Sequence, residues 1–322
     1  MKAIKLGLLL SSCYLGNAMA ASVPQQNIAQ IFATGVFLNN SDAISFGLAN
    51  FDPKTILQQH PDPDVASKSV ELRNQLTVTN LPYTIQYTDK NNTFYDEIKF
   101  NLSYIAQNQD QDFPGTSIED TNKDTIWGFY TAYNRNWVLG RGWQLSSGLG
   151  QYLMHYKNEH NYNSVESASY KDVLDGQYYN LSSNAFVLEP SIGLKYQQDQ
   201  GWGYWTFNSN YQYFYGLSFG GAEAARSANP QGWEVTNSIK TYINLYENKY
   251  QLESLYIKTE RVDIGGDVRP ALGSDYYYEF GLGLLVKVNS FPSFIENVGI
   301  GLNMNVGSDL AGGSLVFYFN ES

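Results

Sequence analysis

Cysteine occurs once in the 322 residues, at Cys13. That position falls inside an N-terminal export leader, so the exported chain is expected to hold neither a disulfide nor a cysteine-ligated metal. Histidine is almost as scarce, with only His60, His155 and His160. A hydrolytic centre needs a histidine beside a nucleophile and a third group to orient it. None of the three has a serine or an acid at a recognisable spacing, so neither catalysis nor a cofactor is expected. Charged residues make up 16% of the chain, against about 25% in an ordinary soluble domain. Their balance is acidic, with a net charge of −11, which excludes nucleic acid as a partner because phosphate binding needs a basic surface. No apolar run reaches the roughly 20 residues of a membrane-spanning helix.

What is abundant is aromatic: 15% of the residues, including 26 tyrosines. The start is also distinctive. Met1-Lys2-Ala3-Ile4-Lys5 precedes an apolar run from Leu6 to Leu15, and Ala18-Met19-Ala20 then offers a cleavage site between Ala20 and Ala21. Residues 1–20 therefore read as a secretory signal peptide. Leu10-Ser11-Ser12-Cys13 resembles a lipoprotein box, but the apolar run before it is unusually short. Residues 21–30 read as a short periplasmic leader and 31–322 as one β-rich domain.

The end of the chain sets the pattern. Tyr276, Tyr278, Phe280, Leu282, Leu284 and Val286 fall on one face of a strand, with Glu279, Gly281, Gly283 and Lys287 on the other and Leu285 as the exception. Val298, Ile300, Leu302, Met304 and Val306 likewise oppose Gly299, Gly301, Asn303 and Asn305. Side chains alternate along a strand. Long strands with one apolar face, one small or polar face and aromatic ends describe a transmembrane β-barrel, with lipid outside and a polar lumen inside. Counting back from the C-terminus places strands near 312, 296, 275, 250, 233, 202, 184, 143, 124, 94, 69 and 42. The expected fold is an all-β, antiparallel, up-and-down barrel of twelve strands, with ten or fourteen as alternatives.

Connections alternate between short (89–93, 137–142, 198–201, 247–249, 290–295) and long (51–68, 107–123, 157–183, 217–232, 263–274). Short turns are periplasmic and long loops external in such barrels, so both termini are expected in the periplasm. Four places are less regular. Residues 31–38, IFATGVFL, have no clean period and read either as the lower half of a first strand or as a segment tucked into the lumen. The strand from 69 changes phase at Asn80-Leu81-Pro82, as a bulge would. Pro190 interrupts a central strand. The strand over 250–262 has no decided phase.

The polar faces place Glu71, Arg73, Glu97, Lys99, Glu189, Lys195, Glu234, Lys240, Glu279 and Lys287 in the lumen. A charge facing lipid costs roughly 2–4 kcal/mol at the midplane, so these groups point inward whatever the barrel does. Mixed signs favour bracing ion pairs over a selectivity lining. Asp62 and Asp64, and Asp110 and Asp112, give two carboxylates per loop where calcium wants six to eight oxygens, and read as solvated loops. Trp143, Trp202, Trp205, Tyr213, Tyr215 and Tyr276 to Tyr278 read as interfacial girdles. The histidines read as exposed or interfacial, and no motif of a barrel phospholipase, lipid A deacylase or surface protease is present.

The strands FGLGLLVKVN, VGIGLNMNV and GGSLVFYF, with the strand count, resemble the solitary outer-membrane autotransporter-like β-barrel family. The resemblance implies a translocator-type barrel in the bacterial outer membrane. Its partners would be outer-membrane lipid and lipopolysaccharide, and the barrel-insertion machinery that reads the C-terminal strand. Here Asn320-Glu321-Ser322 follow the last phenylalanine, a departure from the strict signal. With only about ten residues between the leader and the barrel, a passenger is not expected. The expected role is structural or surface-interacting, with a diffusion channel for small polar solutes as the alternative; oligomeric state is not readable.

Overall fold

The terminal strands pair as their alternation requires. Phe280 lies opposite Met304, Leu282 opposite Leu302 and Leu284 opposite Ile300, all on the outer face, while Gly281 and Gly283 meet Asn303 and Gly301 on the inner one. The computed structural model extends this hairpin into a twelve-stranded antiparallel sheet. The structure describes residues 23–40, 49–51, 75–89, 93–288, 295, 297–309, 311–319 and 321. Its strands are β1 (Ala49–Phe51), β2 (Leu76–Thr88), β3 (Phe94–Gln111), β4 (Asp120–Gly140), β5 (Trp143–Asn161), β6 (Ser182–Gln200), β7 (Gly203–Phe219), β8 (Gln231–Glu247), β9 (Gln251–Gly266), β10 (Tyr276–Val288), β11 (Val298–Val306) and β12 (Gly312–Phe319).

Each strand pairs with its neighbour in sequence from β2 to β12, and β1 pairs back on β12, with Ala49 opposite Leu315 and Phe51 opposite Gly313. First-to-last pairing is one of the joints that ring closure needs, and closure is what hydrocarbon demands, because no backbone N–H or C=O can be left unpaired there; among the described residues β1 pairs with β12 alone. The expected first-strand positions Ile44, Phe46 and Leu48 lie outside the described residues, as do residues 52–68 of the expected loop, Glu71, Arg73, His60 and the cleavage site at Ala20 and Ala21, while Phe51, read as the start of that loop, ends β1.

The outer face is apolar and ends in aromatics. On β4, Trp127 and Trp137 are both exposed, and ten strand residues tilted by about 40° span roughly 25 Å, the height of a membrane band. Among the described residues, outward charges sit toward the ends of that band. Arg135 forks onto Asp96 at 2.8 and 2.9 Å and lies 4.4 Å over the Phe94 ring. At the other end Arg261 pairs with Asp263 and stacks over Tyr276 at 4.6 Å. Tyr277, expected in the girdle, instead points into the lumen and is fully buried.

Two sequence expectations are corrected. The phase change at Asn80-Leu81-Pro82 is not a bulge, because β2 pairs with β3 in one register from Leu76↔Gln107 to Thr88↔Tyr95. Leu76 and Val78 are apolar residues on the lumen face, packed against a buried core. The loops are also shorter than read. QNQDQ continues β3, and β5 runs through Asn161, so Asp110 belongs to a strand. Pro190 does interrupt pairing: β6 bonds β7 at Leu188↔Tyr215 and resumes at Ser191↔Gln212 in the same register.

The core explains the first. Residues 23–39 form a helix, α1 (Val23–Asn39), whose Ile28, Phe32, Val36, Phe37 and Leu38 are buried against inward side chains of the sheet. The periplasmic leader expected over 21–30 and the undecided segment 31–38 are thus, from Val23 on, one helix inside the barrel. Its first half lies among the long connections, where Gln25 donates to the Arg226 carbonyl at 2.7 Å. From Ile28 on, every position of α1 is buried or half-buried, and a segment enclosed on every side has no polar stripe to mark its period, which is why IFATGVFL fits no simple pattern.

Candidate functional site

A barrel of about eight strands is filled by its own side chains, and wider barrels leave a channel or hold a plug. Twelve strands leave room for a helix about 10–12 Å across, and α1 takes it. The wall facing it carries apolar residues on positions that are polar elsewhere: Ile105 on β3, Ile126 on β4, Met154 on β5, Val187 on β6, Phe214 on β7, Val262 and Ile264 on β9. Phe32 meets Tyr156 edge-on at 6.1 Å and Phe37 meets Tyr277 at 6.1 Å. Burying a side chain of this size contributes about 1.5–3 kcal/mol.

The inner end of α1 is held by polar groups. The last carbonyls of a helix have no partner within it. Asn80 Nδ2 donates to the Leu38 carbonyl at 3.2 Å, and Asn101 Nδ2 donates to the Asn39 carbonyl at 3.1 Å and to Asn39 Oδ1 at 2.6 Å. Asn40 Nδ2 then donates to Gln212 Oε1 at 2.9 Å and reaches Glu234 Oε1 at 3.5 Å. The barrel wall thus supplies the C-terminal caps that the helix lacks.

Around and below this point the lumen charges sort into sets. Glu189, buried, accepts from Tyr152 Oη at 3.1 and 3.2 Å and from Tyr130 Oη at 3.4 Å. Glu234, also buried, accepts from Thr236 Oγ1 at 2.7 Å. Glu279 pairs with Lys258 at 2.7 Å, and Lys258 also reaches Glu260 at 3.4 Å. Lys240 pairs with Glu321 at 2.8 Å, and Tyr256 Oη donates to the same carboxylate at 2.9 Å. Glu321 is further fixed by Asn297 Oδ1, which accepts from its backbone N–H at 3.0 Å. The residues after the last phenylalanine, a departure in the sequence, therefore include a lumen anchor.

Nearer the short-turn end the lumen opens. Glu97 and Lys99 stand 3.8 Å apart with the lysine side chain 47% exposed, Lys195 is half-buried, and Lys287 is exposed. All eight described members of the predicted lumen set lie on inward positions, but as separate clusters rather than one lining. Lys258, Glu260, Tyr256 and Glu321 escaped sequence reasoning. On β9 apolar residues occur on both faces, since Tyr256, Val262 and Ile264 point inward, so alternation carried no signal.

Histidine requires a correction as well. His155 is exposed and bonded to Asn184, as expected. His160 is buried, its Nε2 3.4 Å from Asp120 Oδ2 and its ring stacked on Tyr179 at 3.9 Å. It sits under the β5–β6 connection, which folds back as α2 (Val165–Ala168) and α3 (Lys171–Leu174) and covers the ring.

A family model described as "Solitary outer membrane autotransporter beta-barrel domain" matches residues 29–321. No curated protein matches the chain in sequence. Among solved structures it is similar to the beta domain of the Bordetella autotransporter Brka, at 11% identity and a TM-score of 0.43, over 76% of this chain and 88% of that one. It is also similar to the transport unit of the autotransporter AIDA-I from Escherichia coli, at 9% identity and a TM-score of 0.46, over 92% and 99%.

Proposed function

The chain belongs to the solitary outer membrane autotransporter β-barrel domain family, and on that premise we propose that it works as a closed translocator-type barrel, held shut by its own helix, with a structural and surface-interaction role. It is an outer-membrane β-barrel; the proposal concerns what the barrel does there. The observation that carries it is α1, seated in the lumen by apolar packing from Ile28 to Leu38 and by wall asparagines at its inner end. A helix held in this way occupies the cross-section that a solute would need. The mixed charges of the lower lumen serve as internal braces in this reading, and neither a passenger nor a catalytic step is required. Lipid and lipopolysaccharide are the partners of the outer face, and the insertion machinery is the partner of β12 during assembly.

Single-channel recording in a planar bilayer tests the reading. The refolded protein, verified as inserted, is expected to pass no stepwise current, and deletion of residues 23–40 to open stable steps. Stepwise current from the unaltered protein would replace the closed barrel with a diffusion channel for small polar solutes.

A further inference from the structure

We propose that the β3–β4 and β5–β6 connections form one rigid platform at the external mouth that binds a cationic segment of another protein, one carrying apolar residues between its lysines or arginines. The proposal deepens the surface-interaction role above and rests on it. The platform is tied by a buried carboxylate. Asp120 Oδ1 accepts from the Asn163 backbone N–H at 2.7 Å and from Ser167 Oγ at 2.9 Å, while Oδ2 faces His160. Asn163 Nδ2 donates to the Glu119 carbonyl at 2.9 Å, Tyr179 Oη donates to Gln111 Oε1 at 3.0 Å, and Phe113 packs on Tyr170 at 5.4 Å. These contacts join one connection to the other. Within the longer one, Ser164 and Ser167 close a capping box on α2, Tyr162 Oη donates to Asp175 at 2.9 Å, and Asn180 Nδ2 donates to Asp175 Oδ1 at 2.7 Å. Burial, then the Asp175 carboxylate, push the Tyr162 phenol well above its ordinary range, so it stays a donor.

The polar groups are thus turned inward and used to fix the loops, while apolar side chains are left outside. Ile118 is 54% exposed, Val165 85%, Tyr170 53%, Val173 68% and Tyr178 44%. Ordering a loop costs about 1–2 kcal/mol per residue in backbone entropy, and a loop fixed with its apolar residues outward gains nothing from burying them itself. Apolar groups left exposed on two connections tied to one another offer an interaction surface, and a surface already ordered loses little entropy on binding. The charge around them selects the partner. Asp112, Glu119, Glu166 and Asp172 are exposed, with Lys171 the lone exposed cation among residues 112–119 and 162–179. Opposite charge favours a basic partner and steers its approach, and the same carboxylates repel anionic lipopolysaccharide.

The test uses the full chain in zwitterionic-lipid nanodiscs and a fluorescent synthetic peptide of alternating lysine and leucine, read by anisotropy. A peptide of alternating glutamate and leucine is the control. Saturable binding of the lysine peptide is expected, weakened at least tenfold by Val165→Ser with Val173→Ser. The charge-reversing pair Glu166→Lys with Asp172→Lys is expected to weaken it similarly and to raise affinity for the control peptide. Both pairs are surface changes, so barrel mobility on unheated gels should be unaltered. No saturable binding, equal binding by wild type and both variants, or a loss confined to the charge-reversed pair would each overturn the proposal. A platform that fails this test in a barrel that still passes no current leaves the closed-barrel reading standing.

Discussion

The two halves of the lumen are built from the same strands and obey opposite rules. Near the long connections, the inward faces of β3, β6 and β10 carry Ile105, Val187 and Tyr277 and help enclose a helix. Near the short turns, the same faces of the same strands carry Lys99, Lys195 and Lys287, with solvent beside them. The period is two throughout. What changes is the company each inward face keeps, so lumen polarity is set by depth and occupant, not by strand identity.

The largest break in this comparison is to make the upper half behave like the lower. Phe32→Asp with Val36→Asp puts two unpaired charges in an apolar seat, each costing several kcal/mol. The helix should leave the lumen, and planar-bilayer recording should then show steps from a barrel otherwise silent. The next contrast sets two lysines side by side. Lys258→Met strands Glu279 and Glu260 in a buried setting and should lower stability by about 3–5 kcal/mol, while Lys99→Met, at a half-exposed pair, should stay within about 0.5 kcal/mol. Guanidinium unfolding followed by tryptophan fluorescence checks both; equal effects would erase the distinction between the halves. Smaller again, Asn101→Ala removes the wall's cap on the Asn39 carbonyl. It should cost about 1–2 kcal/mol, seen as faster amide exchange over residues 36–39. The smallest effect concerns the loops. Phenols raised in the folded state stabilise fully below their unfolded value, about 10, and lose that contribution as pH rises through the folded one. Tyr162 and Tyr179 are both raised, chiefly by burial. Subtilisin nicking between 162 and 181 should therefore be slow near pH 8 and faster near pH 11, and Asp175→Asn should narrow that difference.

The strands were legible because lipid imposes one rule on every outer position. β10, β11 and β12 and the inward placement of Glu189, Glu234, Lys240 and Glu279 follow from alternation alone. Legibility ended where the lumen departs from polarity. Leu76 and Val78 imitate a register change because they pack on the buried core that includes α1, and Tyr277 imitates a girdle residue because it packs on Phe37. β9 hid Lys258 for the same reason. Local sequence does not announce that an inward apolar residue has a helix to touch; only assembly of the twelve strands brings the two together. His160 was missed because its partner, Asp120, lies on another strand, at a distance in sequence that no motif spans.

The β1–β12 pairing joins residue 49 to residue 315, nearly the full length of the chain. Contacts so remote in sequence are slow to form, since loop closure opposes them most. The helix precedes the first strand in the chain and ends up inside the wall, against β3, β4, β5 and β8. Order of events therefore matters as much as final contacts: a wall drawn around α1 before its seam zips seats the helix directly, whereas a cylinder sealed empty leaves only its two mouths as ways in.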